Sequence, residues 1–494
     1  MIRTDQVLHA TLDRTTLEEP ARSETISRSA GPASVVRSSG TAIAGGLVSQ
    51  ALKAVVMIYV ARVFGASEFG SFSFAFSVNA FLFVIAQFGL PVYGAREVAQ
   101  TGRLERGLFT AISEARLLLA TSGMAVALVV LHFARVTSAE FWLVAGFGLS
   151  NVALSGFSDW AFQGMGRIHF WAALNISWQG LWLILTVALV QGHVSIALIA
   201  FAYATAAFVA ALIGWSLLRR LTQPPSEPAP VLTYSVWSVI GAGANLGAAT
   251  LFMPVLSWTD TIIVRWVLGQ HSAGVYAAGN RVALALAMLA GFYVQGAFPE
   301  LSHSAMSSLQ EHSKAFQRAF EDLAFLFIPG SVWALFYAPQ IMMVVFNNPE
   351  YVAGATVFRI FQVFLLLNVF INLYGMGALV AYRRDHAYRT GYGMSAAALL
   401  VLCPILTVWW GIVGAALAAL SIQILNLALF MTKSRHLLKT ESLKALGLPA
   451  VIAVIPILLG KVFHLGFWVS GAALALTYLA IFVWRRPVLY PVVK

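Results

Sequence analysis

Apolar segments of about twenty residues follow one another from about residue 40 to residue 484. Each is long enough to cross about 30 Å of hydrocarbon as a helix. No stretch longer than about forty residues could fold as a water-soluble domain. Backbone groups in lipid must be satisfied within the segment, so an apolar run of this length is read as a helix. Fourteen are expected, near 40–64, 68–92, 108–133, 140–162, 168–190, 194–218, 236–268, 273–297, 320–346, 352–380, 390–409, 411–432, 446–463 and 465–484. The fold class is an all-α polytopic membrane protein. Its charge content agrees: 10% of residues are charged, where a soluble domain carries about 25%.

Basic residues test the helix count. The N-terminal tail and alternate loops hold 24 of the 31 Lys and Arg, and the opposite side holds four: Arg62, Arg135, Arg265 and Lys461. Such asymmetry places both termini in the cytoplasm. It also accounts for the net charge of +11 through short loops facing anionic lipid, with no nucleic-acid partner. Residues 1–37 carry five Arg and five acidic residues without an apolar run, so a disordered cytoplasmic tail is expected rather than a signal peptide. The loops on the other side are short, which disfavours a glycan polymerase that must hold an acceptor outside the membrane.

Enzymatic signatures are missing. Cys403 is the sole cysteine, which rules out an intramolecular disulfide or a cysteine-built metal cage. The ten His are scattered. No Walker loop, GxSxG elbow or HExxH pair occurs. A transporter without cofactor or metal is expected, not an enzyme.

The segment RRLTQPPSEPAP (219–230) is rich in proline and reads as an extended cytoplasmic linker, 219–235. Six helices precede it, so a second half starts in the same orientation, and any symmetry is a parallel repeat about the membrane normal. That repeat is visible. Gly65-x4-Gly70-x-Phe72 and Gly269-x4-Gly274-x-Tyr276 stand 204 residues apart. The chain divides into an N-lobe (38–218), a C-lobe (236–432) and an added helix pair (446–484).

Over about residues 38–432 the chain resembles the polysaccharide transport family. These are O-antigen and exopolysaccharide flippases of the multidrug/oligosaccharidyl-lipid/polysaccharide exporter superfamily. In the N-lobe the resemblance rests on Arg62-x2-Gly65, Phe69-Gly70, Phe88-Gly89 and Arg96, and on Asp159-Trp160-Ala161-Phe162-Gln163-Gly164. In the C-lobe it rests on Asp260, Leu268-Gly269, Gly274-x-Tyr276 and Arg281. It implies two six-helix lobes around a central cavity and carriage of an undecaprenyl-diphosphate-linked oligosaccharide across the bacterial inner membrane by alternating access. Candidate partners are membrane lipids and the polymerase and glycosyltransferases of the same pathway.

Ionisable residues inside the membrane cost roughly 2.5–3.5 kcal/mol each and normally face a wet cavity or a partner. Here they are Lys53, Arg281 and Arg359, with Asp260 as the acid. At about 1.5 Å per residue, Asp260, Arg281 and Arg359 lie roughly 10–14 Å from their outer helix ends and Lys53 roughly 18 Å. All four are expected in one layer, with the three bases binding a lipid diphosphate and Asp260 acting as counter-ion or coupling residue. The competing structural readings are snorkelling for Lys53 and close helix packing around Arg281. Asp159 and Arg167 are candidates for a cytoplasmic gate, against an ordinary solvated pair. Pro254, Pro329, Pro404 and Pro456 permit kinks, and Gly243-x3-Gly247 favours close packing.

A cation-coupled drug exporter or a lipid II flippase of the same superfamily is the alternative. A drug exporter would be expected to use acids deep in a lobe, whereas Asp260 stands alone among three bases.

Overall fold

The computed structural model describes residues 32–192, 194–221, 234–438, 449 and 466–489. The expected tail up to residue 31, most of the proline-rich linker and the helix near 446–463, with Pro456, lie outside the described residues. Every regular element within them is helical, and eight helices, several broken in the middle, are long and apolar enough to cross a membrane.

In chain order these are α1 (32–64), α2 (66–87), α3 (Leu90–Thr101), α4 (Arg106–Phe133), α5 (Ser138–Ala153), α6 (Asp159–Gly164), α7 (Ile168–Gln191) and α8 (Ala197–Leu221). The second half holds α9 (Val236–Thr250), α10 (Phe252–Leu268), α11 (Gln270–Ser307), α12 (Leu309–Phe336), α13 (Ala338–Phe346) and α14 (Ala355–Asn372). It ends with α15 (385–409), α16 (412–434) and α17 (Phe467–Leu489). The first helix starts at Pro32, earlier than expected.

Several boundaries differ from the sequence reading, each for a local reason. Gly65 alone separates α1 from α2, with φ 76° and ψ 178°, a conformation closed to residues with a Cβ. Gly269 repeats it between α10 and α11, with φ 86° and ψ −179°. The gap expected between the helices near 68–92 and 108–133 instead contains α3, whose buried side is Leu90, Gly94 and Val98. Arg116, in the second of those helices, is a buried residue of α4. The loop expected at 298–319 shrinks to Ser308, whose hydroxyl caps α12 by accepting from the Glu311 amide at 3.2 Å. The helix expected over 236–268 breaks at Leu251, because Pro254 has no N–H for the Thr250 carbonyl. Pro329 and Pro404 sit in helices that continue through them.

Within the N-lobe α5 packs on α8 and α1 on α7, and within the C-lobe α10 packs on the 385–434 helices and α11 on α14. The lobes meet along the 32–87 helices and α11. At the end carrying Gly65 and Gly269 this contact is reciprocal. A Cβ on Gly70 would stand 1.8 Å from the Gln270 carbonyl oxygen, and one on Gly274 would stand 1.8 Å from that of Ala66. Residue 66 plus 204 is 270, and 70 plus 204 is 274, so the pseudo-two-fold axis of the repeat passes through this crossing. At the opposite end, which carries Arg167, Gly243 and Gly247 of α9 lie against the Phe88 carbonyl. The small-residue stripe thus packs on the other lobe, at the break between α2 and α3.

Candidate functional site

Two of the three expected bases come together between the lobes. Lys53 on α1 places its ammonium 5.3 Å from the centre of the Phe76 ring on α2. The Arg281 guanidinium on α11 stacks 3.9 Å from the Trp258 ring on α10. The two rings touch, with centroids 5.6 Å apart, so each lobe supplies one cation and one aromatic face. Ring faces carry negative quadrupole density and hold a cation without neutralising it. Arg281 Nη2 donates to Ser77 Oγ at 3.3 Å. Its Nε and Nη1 are buried and have no hydrogen-bond partner among the described residues. Buried donors are normally satisfied. Orphaned N–H groups on a charged fork beside another cation have the chemistry that an anion with several oxygens satisfies.

Asp260 is held differently. It is 3% exposed and accepts from Tyr276 Oη at 2.6 Å, Asn280 Nδ2 at 3.2 Å and the Thr261 amide at 2.6 Å. It forms no ion pair with Arg281. Its hydrogen-bond donors among the described residues are all neutral and belong to the C-lobe, and Arg281 acts on it only through space. Arg359 stands elsewhere. It is exposed, and its Nε donates at 3.1 Å to the Leu335 carbonyl at the end of α12, where a cation complements the helix dipole. The structure therefore joins Lys53 and Arg281, leaves Asp260 beside them within the C-lobe, and sets Arg359 apart.

The Asp159 motif is a packing element. It forms α6, with Trp160 buried beneath Gly94 and stacked on Phe109 at 5.9 Å. The cation beside Asp159 is Arg116, not Arg167. Burial raises the Asp159 carboxyl above its ordinary range and Arg116 opposes the shift. Arg116 Nη1 also donates to the Phe157 carbonyl at 3.0 Å.

Sequence reasoning missed the residues that clasp the Gly65 end. Arg265 forms a two-pronged ion pair with Glu140, Nε to Oε1 at 2.7 Å and Nη2 to Oε2 at 2.6 Å. Glu140 is fully buried and completes a capping box with Thr137 at the start of α5. Across the pseudo-dyad, one position out of register with Arg265 under the 204-residue offset, Arg62 donates from Nε and Nη2 to the carbonyls of Val345 and Val344, at 2.6 and 2.8 Å. Those carbonyls lie in the last turn of α13, which leaves them without helical partners. Glu350 accepts the Ala66 amide at 3.0 Å, and Tyr351 Oη donates to the Ala61 carbonyl at 2.9 Å. Each lobe thus inserts the end of its first helix into a turn of the other. Thr137-x2-Glu140 was legible as a helix start, but its partner 125 residues away was not.

Breaking a buried pair by removing one partner costs about 3–5 kcal/mol, because the remaining charge stays buried. Arg265→Ala is therefore expected to favour opening of this end. Ser71 is 4% exposed and the native Cys403 fully buried, so Ser71→Cys supplies a reporter thiol. Its labelling by a membrane-impermeant maleimide should rise by about tenfold or more in Arg265→Ala, each tenfold corresponding to about 1.4 kcal/mol. Unchanged labelling would show that the clasp does not hold the lobes together.

Two lobes of broken helices, related by a parallel repeat and meeting around a cationic seam, define a class by fold, the one shared with membrane transporters of the MOP superfamily. The likeness is measurable. The chain superposes on the lipid II flippase MurJ in an inward closed conformation with a TM-score of 0.68 at 11% identity, covering 90% of this chain and 99% of that one. An inward-facing multidrug resistance MATE family transporter of the MOP superfamily gives 0.61 at 14% identity, over 79% and 96%. The eukaryotic MATE transporter AtDTX14 gives 0.58 at 12% identity, over 85% and 98%. No curated protein matches the chain. Residues 35–305 match the family described as "Polysaccharide biosynthesis protein", and the chain belongs to that family.

Proposed function

We propose that this protein is a flippase. It carries an undecaprenyl-diphosphate-linked oligosaccharide from the inner to the outer leaflet of the bacterial inner membrane, by alternating access, for exopolysaccharide or O-antigen synthesis. The observation that supports this most is the Lys53–Arg281 pair, with Arg281 Nε and Nη1 unpartnered and no carboxylate bonded to either cation among the described residues. A diphosphate supplies the missing acceptors, and its oxygens suit a guanidinium fork. The Gly65 end is then the outer one and the Arg167 end the cytoplasmic one, with both termini inside. The clasp at the outer end and the seat of α9 on Phe88 are the two gates, and alternating access opens one at a time.

A second reading, a cation-coupled exporter, draws on Asp260. A buried carboxylate held only by neutral donors has room for a proton or a monovalent cation. Within the flippase proposal the same feature makes Asp260 a coupling residue rather than a counter-ion. The two readings part on the cargo. Purified protein in proteoliposomes should move a short-chain isoprenoid-diphosphate-linked sugar between leaflets. Transport of organic cations with no effect on the diphosphate lipid would establish the exporter instead.

Orientation is tested separately. A reporter fused after Arg220 is expected to be active only as a cytoplasmic reporter, since that end carries most of the Lys and Arg. Periplasmic activity there would invert the assignment of the two gates.

A further inference from the structure

A cavity of about 510 Å³ opens at the Gly65 end, beside the clasp and outside the cation pair. This is within the roughly 300–1,000 Å³ typical of small-molecule sites. Its N-lobe walls carry Ser67, Glu68, Ser71 and Thr137, and Gln270 of the C-lobe closes one side. Gln270 Nε2 donates to Thr137 Oγ1 at 3.2 Å, so the pocket is complete only while the lobes are joined here. Glu68 is exposed and, among the described residues, has no hydrogen-bond or ion-pair partner. Val63, Phe64 and Ile196 supply apolar surface between these polar groups.

Hydroxyls, an amide and a carboxylate alternating with apolar patches suit a ligand that presents both O–H groups and C–H faces. Sugars have that character, and diphosphates do not. We propose that this pocket is an exit-side saccharide subsite that takes neutral sugar units of the cargo. The class of ligand follows from the flippase proposal, while the pocket is separate from the Lys53–Arg281 pair. Among the described residues Glu68 is the one charged side chain lining it. It accepts hydrogen bonds from sugar hydroxyls and disfavours uronic acids, whose carboxylates it would repel.

The test is calorimetry on the purified full-length protein with maltotriose and trigalacturonate as probes. Wild type is expected to bind maltotriose and to bind trigalacturonate much more weakly. Ser67→Leu, on an exposed position, fills the pocket with apolar bulk and should weaken maltotriose about tenfold or more, as polar groups lose their partners. Glu68→Lys should reverse the preference towards trigalacturonate. The subsite is overturned if wild type binds no maltotriose, or if Ser67→Leu and Glu68→Lys leave both probes unchanged. Farnesyl diphosphate, titrated into the same proteins, separates this from the flippase proposal. It should bind wild type and Ser67→Leu equally and be lost in Arg281→Ala. Saccharide binding without farnesyl diphosphate binding would strike the cation-pair proposal and leave the subsite standing.

Discussion

Gly70→Ala is expected to abolish export from a protein that still inserts and accumulates normally. The added Cβ would lie 1.8 Å from the Gln270 carbonyl oxygen and 2.9 Å from the Gly274 amide nitrogen. Neither neighbour is a side chain that can rotate away, so α2 and α11 must separate. Ordinary overpacking costs about 1–3 kcal/mol, and a backbone clash this close lies at or beyond the upper end. Separation breaks the register on which the clasp depends, including the Ala66 amide to Glu350 and the Tyr351 hydroxyl to Ala61. The lobes should then fail to close at the Gly65 end, and the proposed alternating-access cycle needs closure at both ends. Gly274→Ala should behave alike, because a Cβ there would lie 1.8 Å from the Ala66 carbonyl. Export in a deletion strain, with protein levels checked by blot, measures the outcome, and Ser71→Cys labelling should rise in both variants. Normal export from both would show that this contact is not used in the transport cycle.

Arg281→Ala carries the second large effect. It removes a charge and three nitrogens, of which only Nη2 has a hydrogen-bond partner among the described residues. The loss therefore falls on the ligand more than on the fold. Charge-assisted hydrogen bonds to a desolvated anion are worth about 1.5–3 kcal/mol each, so capture of the lipid diphosphate should drop by a hundredfold or more (about 3 kcal/mol). Arg281→Lys should keep part of the activity, since an ammonium still attracts phosphate as a point charge without the fork. Lys53→Ala should weaken binding in the same direction. Arg359→Ala should leave capture nearly intact, because that side chain caps α12 instead of facing the pair. Equal export from wild type, Lys53→Ala and Arg281→Ala would remove the basis for the cationic site. Asp260→Asn keeps the size of the side chain and deletes its charge. It should abolish cycling if Asp260 binds and releases a proton or cation, and do little if it is only a counter-ion.

The all-helical membrane fold and its internal repeat could be read from the chain, because both depend on local chemistry. A run of apolar residues must satisfy its own backbone in lipid, wherever the rest of the protein lies. Gly65 and Gly269 are needed for positive φ, Gly70 and Gly274 for backbone contact, and the 204-residue spacing exposes both pairs. Boundaries were less legible. Ser308 and Leu251 mark breaks set by a cap and by a proline three residues on, inside what hydropathy reads as one loop and one helix.

The site divides in the same way. The choice of Lys53, Arg281 and Asp260 as candidates followed from the cost of charge in hydrocarbon. Which of them meet did not, because depth along a helix says nothing about the direction a side chain faces. Arg359 shares the depth of Arg281 but is turned towards the end of α12. Asp260 shares it too, yet is enclosed by Tyr276, Asn280 and Thr261. Arg265, met in the sequence as a stray charge near a helix end, finds Glu140 only because the two lobes cross at Gly70 and Gly274. Pairings between residues more than a hundred positions apart are set by the packing of one lobe on the other, and no local pattern of residues encodes them.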